Sequence, residues 1–462
     1  MRGGARGLCT PVRPPPPWLA TVFLVTALLS APWHGHVDDV DGQLYQVVAR
    51  HMVRDGTWTL LRYLPDVHPQ FREHLPFGLW PYALGIRVMG ELSLPLLAAL
   101  FTLLTVLCAG WMARKLGGPA SGVLAMVVLG TCESVFSYGG RPRLDPPLML
   151  FALAAAAPWV RTPITAPGWL LSAAFAAGAV AVKGPFGVLP LIGIVVGRAA
   201  FAGKGALKLL AAGVACCAVA SLPVGAWLLH NHLAGDDSWW VGYLQHQVLA
   251  SATGARTDGS ANVFQPVLFV LQRFWPGLPL VGLAAYRAFT RPDERALRSL
   301  LVASLVVLVV LCVPGRKVWN HTLVLFPLLA VTGAVACEPW LQRHAGLLRA
   351  ALPALAMLVT LGSAAGLGRN LLPAPCAPSS IFVSTFKNVR PGEDVVVVST
   401  TPDWRMLASL AAEWDVVPRP RAALDDGGNA RVALAREESL PDIPPGWRDS
   451  GRGQGWVLLT RL

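Results

Sequence analysis

The sequence predicts an α-helical polytopic membrane protein with a small C-terminal α/β domain. Of its 462 residues, 54% are hydrophobic and only 14% charged, against roughly 25% charged in an ordinary soluble domain. Apolar runs also recur that approach the ~20 residues a helix needs to cross the hydrocarbon core. A third observation is the change of composition beyond Cys376, where soluble-type strand and helix patterns replace the apolar runs.

In chain order the apolar runs cover 18–32, 93–113, 120–138, 147–160, 169–182, 186–196, 206–229, 263–286, 297–313, 322–335 and 347–367, which implies about 11–13 transmembrane helices. The first run follows Arg2, Arg6 and Arg13, as a signal peptide would. Leu28 is a poor fit to the small-residue position of a cleavage site, so a retained anchor is expected. The membrane part spans 1–371, with two long loops at 33–92 and 231–262. Residues 376–462 form the α/β part: IFVSTF, DVVVVST and WVLLTRL read as strands and DWRMLASLAAEW as a helix. The glycines of GRGQG lack the strand-to-helix context of a dinucleotide loop and read as a hairpin.

The formal net charge of +12 does not imply a nucleic-acid partner, because from Cys376 onward ten Lys/Arg face eleven Asp/Glu. The basic excess therefore lies in the membrane part, where loop charges set orientation. With a cytoplasmic N-terminus, every second connection is basic: Arg114 and Lys115; Arg161; Arg198, Lys204 and Lys208; Arg287, Arg291, Arg295 and Arg298; Arg343 and Arg349. The loop 33–92 and the C-terminal α/β part then lie on the outer side. The eight cysteines sit mostly in apolar runs without a CxxC pair and read as buried small hydrophobes.

Several charges break this segregation. Arg141 and Arg143 beside Asp145, Lys183 in AVKGPFG, and Arg316 with Lys317 in GRKVWNH all fall at outer ends of spans. Each can snorkel to the interface singly. Their convergence on the side of the acid cluster Asp38, Asp39 and Asp41 points to a polar site suited to an anionic headgroup. Leu44, Val47, Val48 and Met52 recur at helical spacing, so 41–54 reads as an amphipathic helix on the membrane surface with Asp41 as its cap. Trp239, Trp240 and Tyr243 read as an interfacial aromatic belt.

These stretches resemble the polyprenyl-phosphate-dependent GT-C glycosyltransferases, in particular the bacterial aminoarabinose transferase and protein O-mannosyltransferase group. DGQLYQVVARHM is similar to the family's Asp-Glu-x-x-Tyr motif, FREHLPFGLW to its Phe-Glu-Lys-Pro-Pro segment, and RPRLDPPLMLF to its second acidic motif. AVKGPFGVLP resembles Thr-Lys-Gly-Pro and GRKVWNHTLVLFP the late Lys-x-x-x-Tyr-x-x-Pro segment. Together they cover most of 15–340. The sequence departs from the family at Gly42, His74, His321 and His246-Gln247, and the Arg expected shortly after that pair is missing, with Arg256 nearby.

The resemblance implies a GT-C-like fold in the bacterial inner membrane, with the active site on the periplasmic side. It implies a polyprenyl-phosphate-linked sugar donor and a lipid, glycan or protein acceptor. Asp41 matches the acceptor-activating carboxylate, Asp145 the second acid and Glu73 the third, with Tyr45 in the first motif. Lys183, Arg316, Lys317 and His74 are the expected phosphate clamp, while Arg143 pairs with Asp145. Glu73 and His246 hold either a divalent metal ion or a simple hydrogen bond. Such a donor carries its own leaving group, so the chemistry requires cations for the phosphate and a carboxylate for the acceptor hydroxyl, but no nucleotide fold. The rival class is a transporter or lipid flippase, which predicts two related halves with polar groups at the midplane. No internal repeat supports it, and the polar residues gather at one face. A third class, a membrane anchor presenting the α/β part, leaves the ordered motifs unused.

Overall fold

The computed structural model describes residues 40–64, 70–160, 163–255, 259–344, 389, 392–398, 407, 410–411, 416–421, 424, 430–440, 442–453 and 455–462. The runs at 18–32 and 347–367, together with Asp38, Asp39, Arg161, Arg256, Arg349 and IFVSTF, lie outside them. Of DWRMLASLAAEW only Leu407, Leu410 and Ala411 are described, all buried at helical spacing.

The membrane part is a helical bundle. Helix α1 (Val40–Asp55) leads through a long loop to α2 (Trp80–Met89) and α3 (Ser93–Leu116). Then follow α4 (Pro119–Gly130), α5 (Glu133–Gly139), α6 (Asp145–Ala156), α7 (Ala166–Lys183), α8 (Leu189–Ala199) and α9 (Ala206–Leu233). After a wide-turned π-helix (Trp240–Leu249) come α10 (Gln265–Arg273), α11 (Leu278–Thr290), α12 (Arg295–Cys312) and α13 (Phe326–Arg343). Among the described residues, five helical runs are long and apolar enough to cross a membrane, or up to seven if each of two bent pairs is one span. The bends are 66° between α4 and α5 and 79° at Phe274, between α10 and the run leading into α11.

One of the five, Ala166–Ala199, turns back on itself. The Trp169 indole at its start donates to the Ala212 carbonyl, 3.0 Å, while Val195 near its end packs on the adjacent Gly213. Both ends thus meet α9 at one level. The reversal follows Lys183, where Gly184 has φ +62°, a conformation that excludes most side chains, and Gly187 then lies directly on Ala179. The expected pair of spans is therefore present as a splayed hairpin of ~27 Å and ~26 Å arms.

Small residues bring helices together where apolar burial gives no preference between neighbour and lipid. In Gly193-Ile-Val-Val-Gly197, a Cβ on Gly193 would lie 2.7 Å from the Ala303 carbonyl of α12, and one on Gly197 would strike the Ser299 carbonyl. At the same end of the bundle, Glu338 of α13 is buried. Its carboxylate accepts from the Ser121 backbone N–H at 2.6 Å and from the Ser121 hydroxyl. A charge inside the bundle thus supplies the acceptor that the first turn of α4 lacks.

The C-terminal part forms a five-stranded sheet in the order β2-β1-β3-β5-β4, from Asp394–Val398 (β1), Val417–Arg421 (β2), Val432–Arg436 (β3), Trp447–Gly453 (β4) and Trp456–Arg461 (β5). β1 is parallel to β2 and β3; β5 is antiparallel to β3 and β4. GRGQG is the expected hairpin between β4 and β5.

This unit corrects the expectation for α1. Val47, Val48 and Met52 are buried as the spacing predicts, but so are Gln43, Arg50 and His51. Arg50 donates to the Ala411 carbonyl of the C-terminal unit, 2.9 Å, and pairs with Glu91 on the membrane side. Helix α1 is a filling between the two, and burial pushes the His51 imidazole down to about 4. Gly197→Ala is expected to lower stability by ~1–3 kcal/mol through overpacking against backbone. Gly225→Ala, where nothing lies within 4 Å, is expected to be neutral; thermal unfolding in detergent measures both.

Candidate active site

The site forms where RPRLDPPLMLF, AVKGPFG and the start of α1 meet. RPRLDPPLMLF starts α6 with Asp145 in the first turn, where a carboxylate suits the helix dipole and the two prolines, lacking an N–H, need no acceptor. AVKGPFG ends α7 with Lys183, where a cation suits the opposite pole. Because α6 and α7 are antiparallel, the two poles coincide, and the Lys183 ammonium donates to Asp145 Oδ1 at 3.0 Å. Arg143 approaches Asp145 Oδ2 from the other side, 3.7 Å, and donates through Nη2 to Asp41 Oδ2 at 2.7 Å. Asp41, Arg143, Asp145 and Lys183 thus form one alternating chain of charge.

Burial grades this chain. The Asp145 side chain is 4% exposed and that of Arg143 8%, whereas that of Asp41 is 48% exposed. The Asp145 end is locked, and the Asp41 end faces water. Helix α1 starts at Val40, so Asp41 lies in its first turn, and its carboxylate is held by Arg143. Tyr138 lies beneath the Arg143 guanidinium, 4.4 Å from its ring centroid, and the Tyr82 hydroxyl donates to the Arg143 carbonyl at 2.6 Å.

Tyr45, one helical turn after Asp41, shares a hydrogen bond of 3.0 Å with His74 Nε2. This ties the first motif to FREHLPFGLW. Burial, and then the charges of Asp41, Asp145 and Glu73, keep the Tyr45 phenol well above its ordinary range. It is a neutral donor or acceptor at any physiological pH. Arg72 anchors the same segment by stacking on Trp239, 4.5 Å, and donating to the Ser238 hydroxyl, 2.9 Å.

GRKVWNH passes the chain with its later residues. Trp319 meets Tyr138 edge to face at 4.5 Å and His321 packs on Phe186 at 4.4 Å. Lys317 is buried, and its ammonium reaches the Ala261 carbonyl at 3.5 Å. The Arg316 side chain is half-buried and its backbone N–H donates to Ser251, 3.4 Å. Glu73 and His246 are both exposed. Among the described residues no group of three or more His, Cys, Asp or Glu forms a metal site. No step below is routed through a metal ion.

Three features escaped the sequence reading. Arg143 binds Asp41 as well as Asp145. Of the presumed aromatic belt only Trp240 is exposed; Trp239 and Tyr243 are buried. The Tyr243 hydroxyl covers Gly184 closely enough that a Cβ there would strike it, which places the π-helix over the Lys183 tip. Asn320 Oδ1 is buried with no hydrogen-bond partner among the described residues, and such an acceptor costs ~1–3 kcal/mol.

No protein-family model and no curated protein matches the sequence, but solved structures match the fold. ArnT from Cupriavidus metallidurans bound to undecaprenyl phosphate superposes with a TM-score of 0.73 at 17% identity, over 96% of this chain and 97% of that one. The chain has the GT-C glycosyltransferase fold. ArnT in the apo state gives a TM-score of 0.71 at 17% identity over the same shares of both chains. The archaeal oligosaccharyltransferase AglB from Archaeoglobus fulgidus, in complex with an inhibitory peptide and a dolichol-phosphate, gives 0.51 at 12% identity, over 91% of this chain and 69% of that one. Within this GT-C bundle, Asp145→Asn removes the carboxylate that Lys183 donates to and leaves Arg143 with Asp41, and is expected to cost ~3–5 kcal/mol. Asp41→Asn, at the wet end, is expected to cost under ~1 kcal/mol. Denaturation in detergent distinguishes the two.

Proposed function

We propose that the chain is an inverting glycosyltransferase that moves a sugar from a polyprenyl-phosphate donor to an acceptor hydroxyl, with Asp41 as the acceptor-activating base. The observation that carries this reading is the graded chain Asp41–Arg143–Asp145–Lys183, set in a fold that ArnT shares in its undecaprenyl-phosphate complex. The polar groups lie at one end of the bundle, as transfer at a membrane surface requires and a midplane transport path does not.

The chemistry follows from the grading. Asp145 holds Arg143 and Lys183 in place as a fixed pair of cations. An incoming phosphate competes for Arg143 with the water-exposed Asp41 carboxylate and adds Lys183 Nζ as a second partner. Its charge compensates the carboxylate displaced from Arg143. Asp41 is then available to accept the proton of the acceptor hydroxyl as that oxygen attacks the anomeric carbon. The phosphate leaves from the opposite face, with its growing charge stabilised by preorganised cations. His74, held by Tyr45, and the cations of Arg316 and Lys317 complete the clamp. Glu73 lies beside Tyr45 and contributes to the field over the acceptor side.

The same reading places the protein in a bacterial inner membrane with this site and the C-terminal unit on the periplasmic side. Residues 1–371 carry the transfer machinery, and 376–462 form a cover over α1. The acceptor is a lipid, glycan or protein hydroxyl. Asp41→Asn is expected to lower transfer by ~10²–10⁴-fold with the protein folded and inserted; near-normal turnover with a synthetic polyprenyl-phosphate sugar would exclude Asp41 as base. Lys183→Ala is expected to weaken donor binding more than acceptor binding, read from the separate KM values, and equal losses would remove the clamp.

A further inference from the structure

The end of the bundle remote from Asp41 contains a cavity of about 300 Å³ between α8, α12 and the start of α9, at the lower limit of volumes that hold small ligands. Its position is fixed by α6, which runs from Asp145 in the ion-pair chain to Val160 in the cavity wall just beyond its last turn. Ile194, Phe201, Leu209 and Leu300 form an apolar wall, and Arg198 and Arg295 stand in it. The wall continues to the lipid-facing surface of α9, where Leu207 is 79% exposed and Leu210 is also exposed.

The charge of this wall is one-sided. Arg198 is half-buried and fixed by donating to the Trp159 carbonyl. Arg298 stacks over Phe201, 4.6 Å from the ring centroid. Arg295 is exposed and makes no ion pair among the described residues. The described lining residues include no Asp or Glu, and nearby Glu294 is held by Arg287 and Arg291. A phosphodiester meets these conditions better than other membrane molecules. Its charge suits guanidinium forks, its acyl chain suits a wall open to the bilayer, and a zwitterionic headgroup would find no carboxylate for its ammonium.

We infer that this cavity is a binding site for an anionic phospholipid, separate from the ion-pair chain and independent of the transferase reading. The test uses the purified full-length chain in detergent, with retention read by native mass spectrometry. Phosphatidylglycerol, phosphatidylcholine and water-soluble glycerol phosphate are the probes. Phosphatidylglycerol is expected to be retained and the other two lost. Arg295→Gln is expected to lower retention about tenfold, the effect of one charged hydrogen bond. Ala296→Trp, at an exposed lining position, is expected to fill the cavity and abolish retention, while Lys183→Ala at the far end leaves it unchanged. Equal retention of phosphatidylcholine, retention of glycerol phosphate alone, no effect of either lining variant, or a loss in Lys183→Ala matching that in Arg295→Gln would overturn the site.

Discussion

The burial of one carboxylate organises the functional end of this molecule. Asp145 is almost wholly withdrawn from solvent, and an ionised carboxylate there is tolerated only with cations at hydrogen-bonding distance. Those cations come from two other places in the sequence: Arg143 from the preceding turn and Lys183 from the far end of α7. To bring them in, α6 and α7 must run antiparallel with their poles level, and the chain must reverse sharply at Gly184. The geometry of two motifs, RPRLDPPLMLF and AVKGPFG, thus follows from neutralising one charge.

The arrangement also separates a dry carboxylate from a wet one along a short distance. Asp145 holds its partners in a dry setting where Coulomb attraction is strong, and Asp41 holds one of the same partners at a wet edge where the attraction is screened. One guanidinium therefore has a permanent neighbour and an exchangeable one. Tyr45, neutral under all ordinary conditions, joins the exchangeable side to the loop bearing Glu73 and His74 without adding a charge that would compete for Arg143. Tyr138 carries the Arg143 guanidinium, and Trp239, a position that read as a lipid anchor, serves as the shelf for Arg72.

Much of this was legible in the sequence because charge is expensive in a membrane chain. Each of Arg143, Asp145 and Lys183 stood out against an apolar background, and alternation of loop charges put them at one end. Partnerships were less legible. That Arg143 would reach Asp41 depends on the position of α1, which is fixed by Arg50 gripping Ala411, a contact across 361 residues that no local pattern announces. Apolar spacing in α1 correctly gave a helix but could not say what covers it, since membrane and protein look alike to Val47, Val48 and Met52. The aromatic cluster at Trp239 to Tyr243 failed for the same reason: an interfacial girdle and a packed lid use the same side chains.

Helix α1 has a mechanical consequence. Asp41 and Arg50 sit nine positions apart on one rigid rod, a separation of ~14 Å. Arg50 grips the soluble appendage, and Asp41 touches the membrane core through Arg143. A tilt imposed at one tip must reappear at the other, so an object pressing on the distal sheet turns the Asp41 carboxylate toward or away from its guanidinium. The appendage has leverage over the site without lining it.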